Sequence, residues 1–109
     1  MSDEMVERVL RAVEQVPAGR VVAYGDVASL VGTSARRVGT IMSNWGGEVS
    51  WWRVTNAAGR MPEHLLPLAR KQWQREGVPS DGDRCLISRC RADFAQLAAD
   101  YHAAVADLS

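Results

Sequence analysis

The tract Ser50-Trp51-Trp52-Arg53 sets two indoles side by side with a guanidinium directly after them. Indole rings offer flat apolar surface for stacking. They carry no lone-pair nucleophile comparable to a thiolate, and they cannot relay a proton as imidazole does. The expected chemistry of this tract is contact, not covalent transfer. A second concentration of chemistry is cationic. Residues 36–75 hold seven basic side chains (Arg36, Arg37, Arg53, Arg60, Arg70, Lys71, Arg75) against Glu48 and Glu63, a local balance of +5. The flanks oppose it, residues 1–35 at −2 and residues 76–109 at −3, so 13 basic and 13 acidic side chains cancel. A middle third this lopsided can form a face for an anionic ligand on a neutral body. The alternative at this level is solvated surface in a chain that uses 12 Arg to one Lys. Cys85 and Cys90 make neither a disulfide framework nor a zinc site and read as small buried fillers.

The elements that must position these residues follow from periodicity. Met5, Val6, Val9, Leu10 and Val13 recur at helical spacing, and the Val16-Pro17-Ala18-Gly19 tract stops that helix. Val21-Val22-Ala23 is a short strand-prone run. Asp26 to Val31 reads as a short helix ended by Gly32 as a left-handed cap. Thr33 or Ser34 caps the next helix, which runs to about Ser43 with Val38, Ile41 and Met42 on one face. Two short helices joined by a glycine turn, with small Ala28 at their crossing, suggest a helix-turn-helix; a generic helical hairpin is the competing explanation. Arg53-Val54-Thr55 and Arg60-Met61 flank Asn56-Ala57-Ala58-Gly59, which predicts a short β-hairpin. Pro67 suits the first turn of a helix carrying Leu68, Ala69 and Trp73 and closed by Glu76-Gly77-Val78-Pro79. Ser80 to Arg84 reads as a polar linker, and Phe94, Leu97, Tyr101, Ala104, Val105 and Leu108 mark a last amphipathic helix. That helix can pack on the body or present a surface to a partner or a second copy.

Length and composition bound the class. A chain of 109 residues and 12.0 kDa, 47% hydrophobic and 24% charged, is one small globular domain. No apolar run approaches the ~18 residues that a membrane helix needs. The start, Met1-Ser2-Asp3-Glu4-Met5, lacks the order of a signal peptide. The expectation is a cytoplasmic protein without a cofactor.

The order of motifs resembles one family. Pro17-Ala18-Gly19-Arg20-Val21, Tyr24-Gly25-Asp26-Val27-Ala28, Gly32, Arg36-Arg37-Val38-Gly39, Trp51-Trp52-Arg53-Val54-Thr55-Asn56, Gly59 and Glu76-Gly77-Val78 look like the DNA-binding domain of O6-alkylguanine-DNA alkyltransferases over residues 4–79. The resemblance implies a mainly α, winged-helix-like helix-turn-helix domain with a short β-hairpin over residues 1–79. Residues 80–109 then form a polar linker plus a C-terminal amphipathic helix. One departure decides the implied function. The family's alkyl-accepting motif is Pro-Cys-His-Arg, and Ser50-Trp51-Trp52-Arg53 stands in its place. Trp51 occupies the nucleophile position and Trp52 that of the activating histidine, so alkyl transfer by this route is excluded. A tryptophan for that cysteine marks the alkyltransferase-like proteins, which bind alkylated guanine in DNA without repairing it. Trp52 is a further departure, because the position after the Trp is often still His in that subfamily.

For the remaining residues the resemblance implies the following roles. The recognition helix lies in the minor groove and the damaged nucleotide is rotated out, with Arg36 intercalating in the gap. Tyr24 helps to swing the target phosphate; Ser34, Arg37, Gly39 and Asn44 belong to the DNA-contacting set. Gly39 serves either close backbone approach or helix packing. Trp51 and Trp52 line the pocket for the flipped base, and Trp52 can equally plug the core. Arg53, placed in the same DNA-binding set, also supports the loop. Arg60, His64 and Arg70 lie in or beside the segment that closes the pocket, Arg70 being assigned to it. The implied partners are double-stranded DNA containing O6-alkylguanine and the nucleotide excision repair proteins that take over the site. Two other functions compete: a sequence-specific helix-turn-helix transcriptional regulator reading major-groove edges, and a residual enzyme using Cys85 or Cys90.

Overall fold

Val6, Val9, Ala12 and Val13 fall on one face of the first helix, α1 (Asp3–Glu14), and all four are buried. In the computed structural model, which describes residues 3–108, that face is the floor on which the helix-turn-helix sits. A two-residue strand, β1 (Val22–Ala23), runs straight into α2 (Tyr24–Val31), which begins two residues earlier than periodicity suggests. The Asp26 carboxylate explains the early start, because it accepts the Ala23 N–H at 2.9 Å and caps the helix. Gly32 ends α2 at φ 81°, donating its N–H to the Ala28 carbonyl at 2.9 Å. Ser34 then caps α3 (Ala35–Trp45), its hydroxyl accepting the Arg37 N–H at 3.1 Å. Val27, Val38 and Ile41 close over Val9 and Val13, and the polar faces of α2 and α3 stay in solvent.

The chain next makes two 3-10 turns, Gly46–Glu48 and Trp51–Arg53, before strand β2 (Val54–Thr55). A third such turn, Glu63–Leu65, leads into α4 (Leu66–Glu76), with Pro67 in its first turn as expected. Beyond Gly77 come β3 (Ser80–Asp81), β4 (Arg84–Cys85), the single turn α5 (Ile87–Cys90) and α6 (Phe94–Ala104).

The β-pairing differs from the expected hairpin. Asn56–Gly59 is indeed a turn: the Asn56 side chain accepts the N–H groups of Ala58 and Arg60, both at 2.9 Å. Yet β2 does not pair across it. Val54 and Thr55 lie parallel to Val22 and Ala23, in register Val22↔Val54 and Ala23↔Thr55. All four are buried, so the ladder belongs to the core and its partner is supplied from before α2. The antiparallel hairpin falls in the stretch read as a polar linker, where Ser80–Asp81 pairs with Arg84–Cys85 around Gly82 at φ 65°.

The C-terminal residues pack on the body. Leu97, Tyr101 and Val105 join the same buried cluster as the apolar face of α1. Arg11 donates to the Ala104 carbonyl at 2.8 Å and to Asp107 at 2.6 Å. Arg91 forks onto Asp26 at 3.0 and 2.6 Å, and Val21 exchanges backbone hydrogen bonds with Cys90 and Ala92. A second apolar cluster forms around fully buried Trp73 with Val21, Ala69, Val78, Cys85 and Cys90. Among the described residues, no helix is long and apolar enough to cross a membrane.

Candidate nucleic-acid interface

Two aromatic residues flank the β1–β2 ladder, at opposite ends of its parallel register. Tyr24 follows the last residue of β1, and Trp51 lies in the turn that runs into β2. Between them opens a mainly apolar cavity of about 210 Å3. From α3 it receives Gly39, Met42 and Ser43, and from the next turn Gly46 and Gly47. The far wall is Met61, Pro62, His64 and Leu65, the segment ahead of α4. Burial pushes the Tyr24 phenol above its ordinary pKa, so it stays neutral and can act as a hydrogen-bond donor.

The adjacent residues Trp52 and Arg53 face elsewhere. Trp52 is not among the lining residues; its ring stands edge-on to Trp51, with centroids 5.6 Å apart and planes at 86°. Its Nε1 donates to Glu76 Oε2 at 2.9 Å, and its main-chain carbonyl accepts the Trp73 indole N–H at 2.7 Å. Arg53 donates Nε and Nη2 to the two oxygens of Glu76, at 3.0 and 2.6 Å, and Nη1 to the Val16 carbonyl at 3.0 Å. Its guanidinium also lies 5.5 Å from the Trp52 ring centroid. Glu76 further accepts the Gly19 N–H at 3.1 Å. One carboxylate, at the end of α4, thus ties down the Trp51–Arg53 turn and the loop before β1. Burial raises the pKa of Glu76. The hydrogen bonds from Arg53, Gly19 and Trp52 together outweigh that effect and hold the group below its ordinary value.

Around the cavity, α3 presents Arg36 and Arg37 to solvent. With Ser34, Thr40 and Ile41 they line an open surface depression. Neither arginine is held in an ion pair among the described residues. Gly39 is open rather than packed, since nothing beyond its chain neighbours and its own helix backbone lies within 4 Å of where its Cβ would stand. Asn44 is exposed and outside the cavity lining, as is Arg70 on α4; Arg60 is drawn away to Asp83 at 3.1 Å. Of the residues singled out in the sequence, the cavity lining brings together Tyr24, Trp51 and His64 from the expected pocket and its neighbouring segment, and Gly39 from the expected DNA-contacting set. Met42, Ser43, Gly46, Gly47, Met61, Pro62 and Leu65 complete it without having been singled out for it. Cys85 and Cys90 are buried free thiols outside the lining; desolvation pushes Cys85 up to about 11 and raises Cys90 as well. Both shifts disfavour the thiolate that nucleophilic attack needs.

Residues 4–78 match the family described as 6-O-methylguanine DNA methyltransferase, DNA binding domain. The chain is 34% identical over 84 residues to alkyltransferase-like protein 1 of Schizosaccharomyces pombe, covering 73% of this chain and 77% of the relative. The chain belongs to the alkyltransferase-like family. A second relative is a DNA base-flipping protein of Vibrio parahaemolyticus, 32% identical over 78 residues, covering 68% of this alkyltransferase-like chain and 78% of that protein. The crystal structure of S. pombe Atl1 in complex with damaged DNA containing O6-carboxymethylguanine superposes with a TM-score of 0.74 at 26% identity. That superposition covers 85% of this chain and 98% of Atl1. Every residue lining the Tyr24–Trp51 cavity lies inside the matched family segment.

Proposed function

We propose that this alkyltransferase-like protein binds double-stranded DNA carrying an O6-alkylguanine, receives the flipped base between Tyr24 and Trp51, and holds it without removing the alkyl group. The observation that carries this reading is the cavity itself: apolar, open, and walled by an indole at the residue where the family's alkyl acceptor is expected. Stacking on aromatic faces contributes about 1–3 kcal/mol per base, which helps to offset the few kcal/mol needed to unstack and extrude a nucleotide. Arg36 intercalates in the gap, and Arg37 contacts phosphate. The ring of Trp51 contacts the base, whereas Trp52 and Arg53 keep the turn in place from behind. The retained lesion then serves as the mark that nucleotide excision repair proteins take over, a step supported by the family resemblance alone.

Gel-shift titration of matched duplexes, with guanine or O6-methylguanine at one position, tests the reading. The lesion duplex should bind about tenfold tighter or better, since one extra apolar carbon in a pocket is worth about 1–3 kcal/mol. Flanking sequence should matter little. Equal binding of the two duplexes, with strong preference among undamaged sequences, would support a transcriptional regulator instead. Mass spectrometry after incubation with the lesion duplex should find the protein mass unchanged; an added alkyl group on Cys85 or Cys90 would overturn the non-enzymatic assignment.

The two exposed arginines should separate in the same assay. Arg36→Ala should abolish most of the preference for the lesion. Arg37→Ala should weaken both duplexes alike and flatten the salt dependence, with the slope of log K against log salt falling by about 0.9. Equal loss of preference in both variants would remove the intercalating role from Arg36.

A further inference from the structure

The cationic excess of residues 36–75 resolves into two fields once the ion pairs are drawn. Arg53 is bound to Glu76 and Arg60 to Asp83. The others stand on two helices, Arg36 and Arg37 on α3 and Arg70, Lys71 and Arg75 on α4. All of these are exposed, and none forms an ion pair among the described residues. The cavity lies between the two helices: α3 gives one wall, and Leu65, the residue before α4, belongs to the other. Within α4, Ala69 and Trp73 turn into the second apolar cluster. Leu68, Lys71 and Arg75, three and then four residues apart, share the opposite, solvent face. The acid of this helix, Glu76, is engaged by Arg53 with 8% of its side chain exposed, so α4 sets no negative charge against that face.

We propose that α4 is a second DNA-contacting helix, in which Lys71 and Arg75 bind successive phosphates of the duplex beside the flipped nucleotide, on the side of the cavity away from α3. Helical rise places them about 9 and 15 Å along the axis from Leu65 and about 6 Å from each other, near the step between neighbouring phosphates of one strand. Leu68, 54% exposed between the cavity wall and the two cations, offers the apolar surface that a deoxyribose can cover. The inference rests on the duplex-binding reading above and extends the contact surface beyond the helix-turn-helix. It concerns affinity and not lesion preference, because phosphates are the same in damaged and undamaged DNA.

The experiment measures affinity against salt for the O6-methylguanine duplex and its undamaged twin. The double variant Lys71→Gln/Arg75→Gln should lower the slope of log K against log salt by about 1.8, two phosphate contacts at about 0.9 each. The fall should be equal on both duplexes, with their affinity ratio unchanged. Lys71→Arg/Arg75→Lys keeps both charges and should keep the slope. Arg20→Gln removes an exposed cation from a depression beside α6 and should leave the slope as it is. Neutral methylphosphonates, placed singly along each strand of the lesion duplex, then locate the contact. Two successive positions outside the flipped nucleotide should each weaken the natural protein about two- to fivefold, the scale of an exposed ion pair. The same positions should have no effect in the double variant. An unchanged slope in that variant, an equal fall per charge in Arg20→Gln, or methylphosphonate effects that survive the double variant would overturn the proposal. Failure of the lesion-binding reading is separate, because it appears as equal affinity of the natural protein for the two duplexes while the slope still falls in the double variant.

Discussion

Glu76→Ala should lower the stability of the protein by about 3–5 kcal/mol, the usual result of removing one partner from a buried ion pair. The pair is well shielded, with 16% of the Arg53 side chain and 8% of the Glu76 side chain exposed. A domain of this size has about 5–15 kcal/mol in all, so chemical denaturation should show a large fall in midpoint. Loss follows from what is left behind: an uncompensated guanidinium, an indole N–H and the Gly19 N–H without an acceptor. Acid should reproduce part of the effect. Glu76 binds its proton more weakly in the folded chain than at its ordinary value of 4.5. Its contribution is therefore complete above that value and is lost as the pH falls through the lowered folded value. A plot of melting temperature against pH should descend more steeply there in the natural protein than in Glu76→Gln; parallel curves would show that the carboxylate is not held as described. Trp51 should feel the change as well, since the turn that carries it is anchored through Trp52 and Arg53.

Gly59→Ala should be comparably damaging for a different reason. Gly59 has φ 81°, a conformation that costs an ordinary residue about 1–2 kcal/mol. A Cβ there would stand 2.1 Å from the Cys85 carbonyl oxygen, which is backbone and cannot swing aside. Relief requires moving β4 away from the Asn56–Gly59 turn and breaking the 2.9 Å hydrogen bond from Cys85 N–H to the Gly59 carbonyl. Overpacking of this kind adds about 1–3 kcal/mol. Thermal denaturation should place Gly59→Ala well below the natural protein and Gly59→Val lower still. Gly25→Ala is the control: nothing beyond its chain neighbours and its own helix backbone lies within 4 Å of its Cβ position, and the change should stay within about 1 kcal/mol. Similar losses at both glycines would contradict the close approach at Gly59.

What could be read from residue order was local. The periodicity of Val6, Val9 and Val13, the cap at Gly32 and the hydroxyl of Ser34 each act within one or two turns of chain, and each stands where expected. The turn at Asn56–Gly59 was legible for the same reason. Its strand partner was not, because Val54 and Thr55 pair with residues 32 positions earlier in a parallel ladder that no turn announces. Ser80–Asp81 and Arg84 are too polar to read as strands, and two-residue strands leave no alternation to detect. At the site, the Tyr24 and Trp51 positions came from motif order, as did the prominence of Glu76-Gly77-Val78. The reason for that Glu emerges only in three dimensions, where it gathers Gly19, Trp52 and Arg53 across 23 to 57 residues of chain. Met61, Pro62 and Leu65 carry no periodicity and no chemistry of their own; the fold makes them a wall.

The two rungs between β1 and β2 have a kinetic corollary. Both sides of the Tyr24–Trp51 opening are stapled to the same buried pair of strands, and the turn bearing Trp51 is anchored from behind by an ion pair. That side of the opening is therefore held in place by the core, so little ordering entropy is lost there on filling it. For the lesion binding proposed above, the β1, β2 and Trp51 side of the opening then needs no rearrangement, and capture should follow how often the damaged nucleotide swings out of the helix.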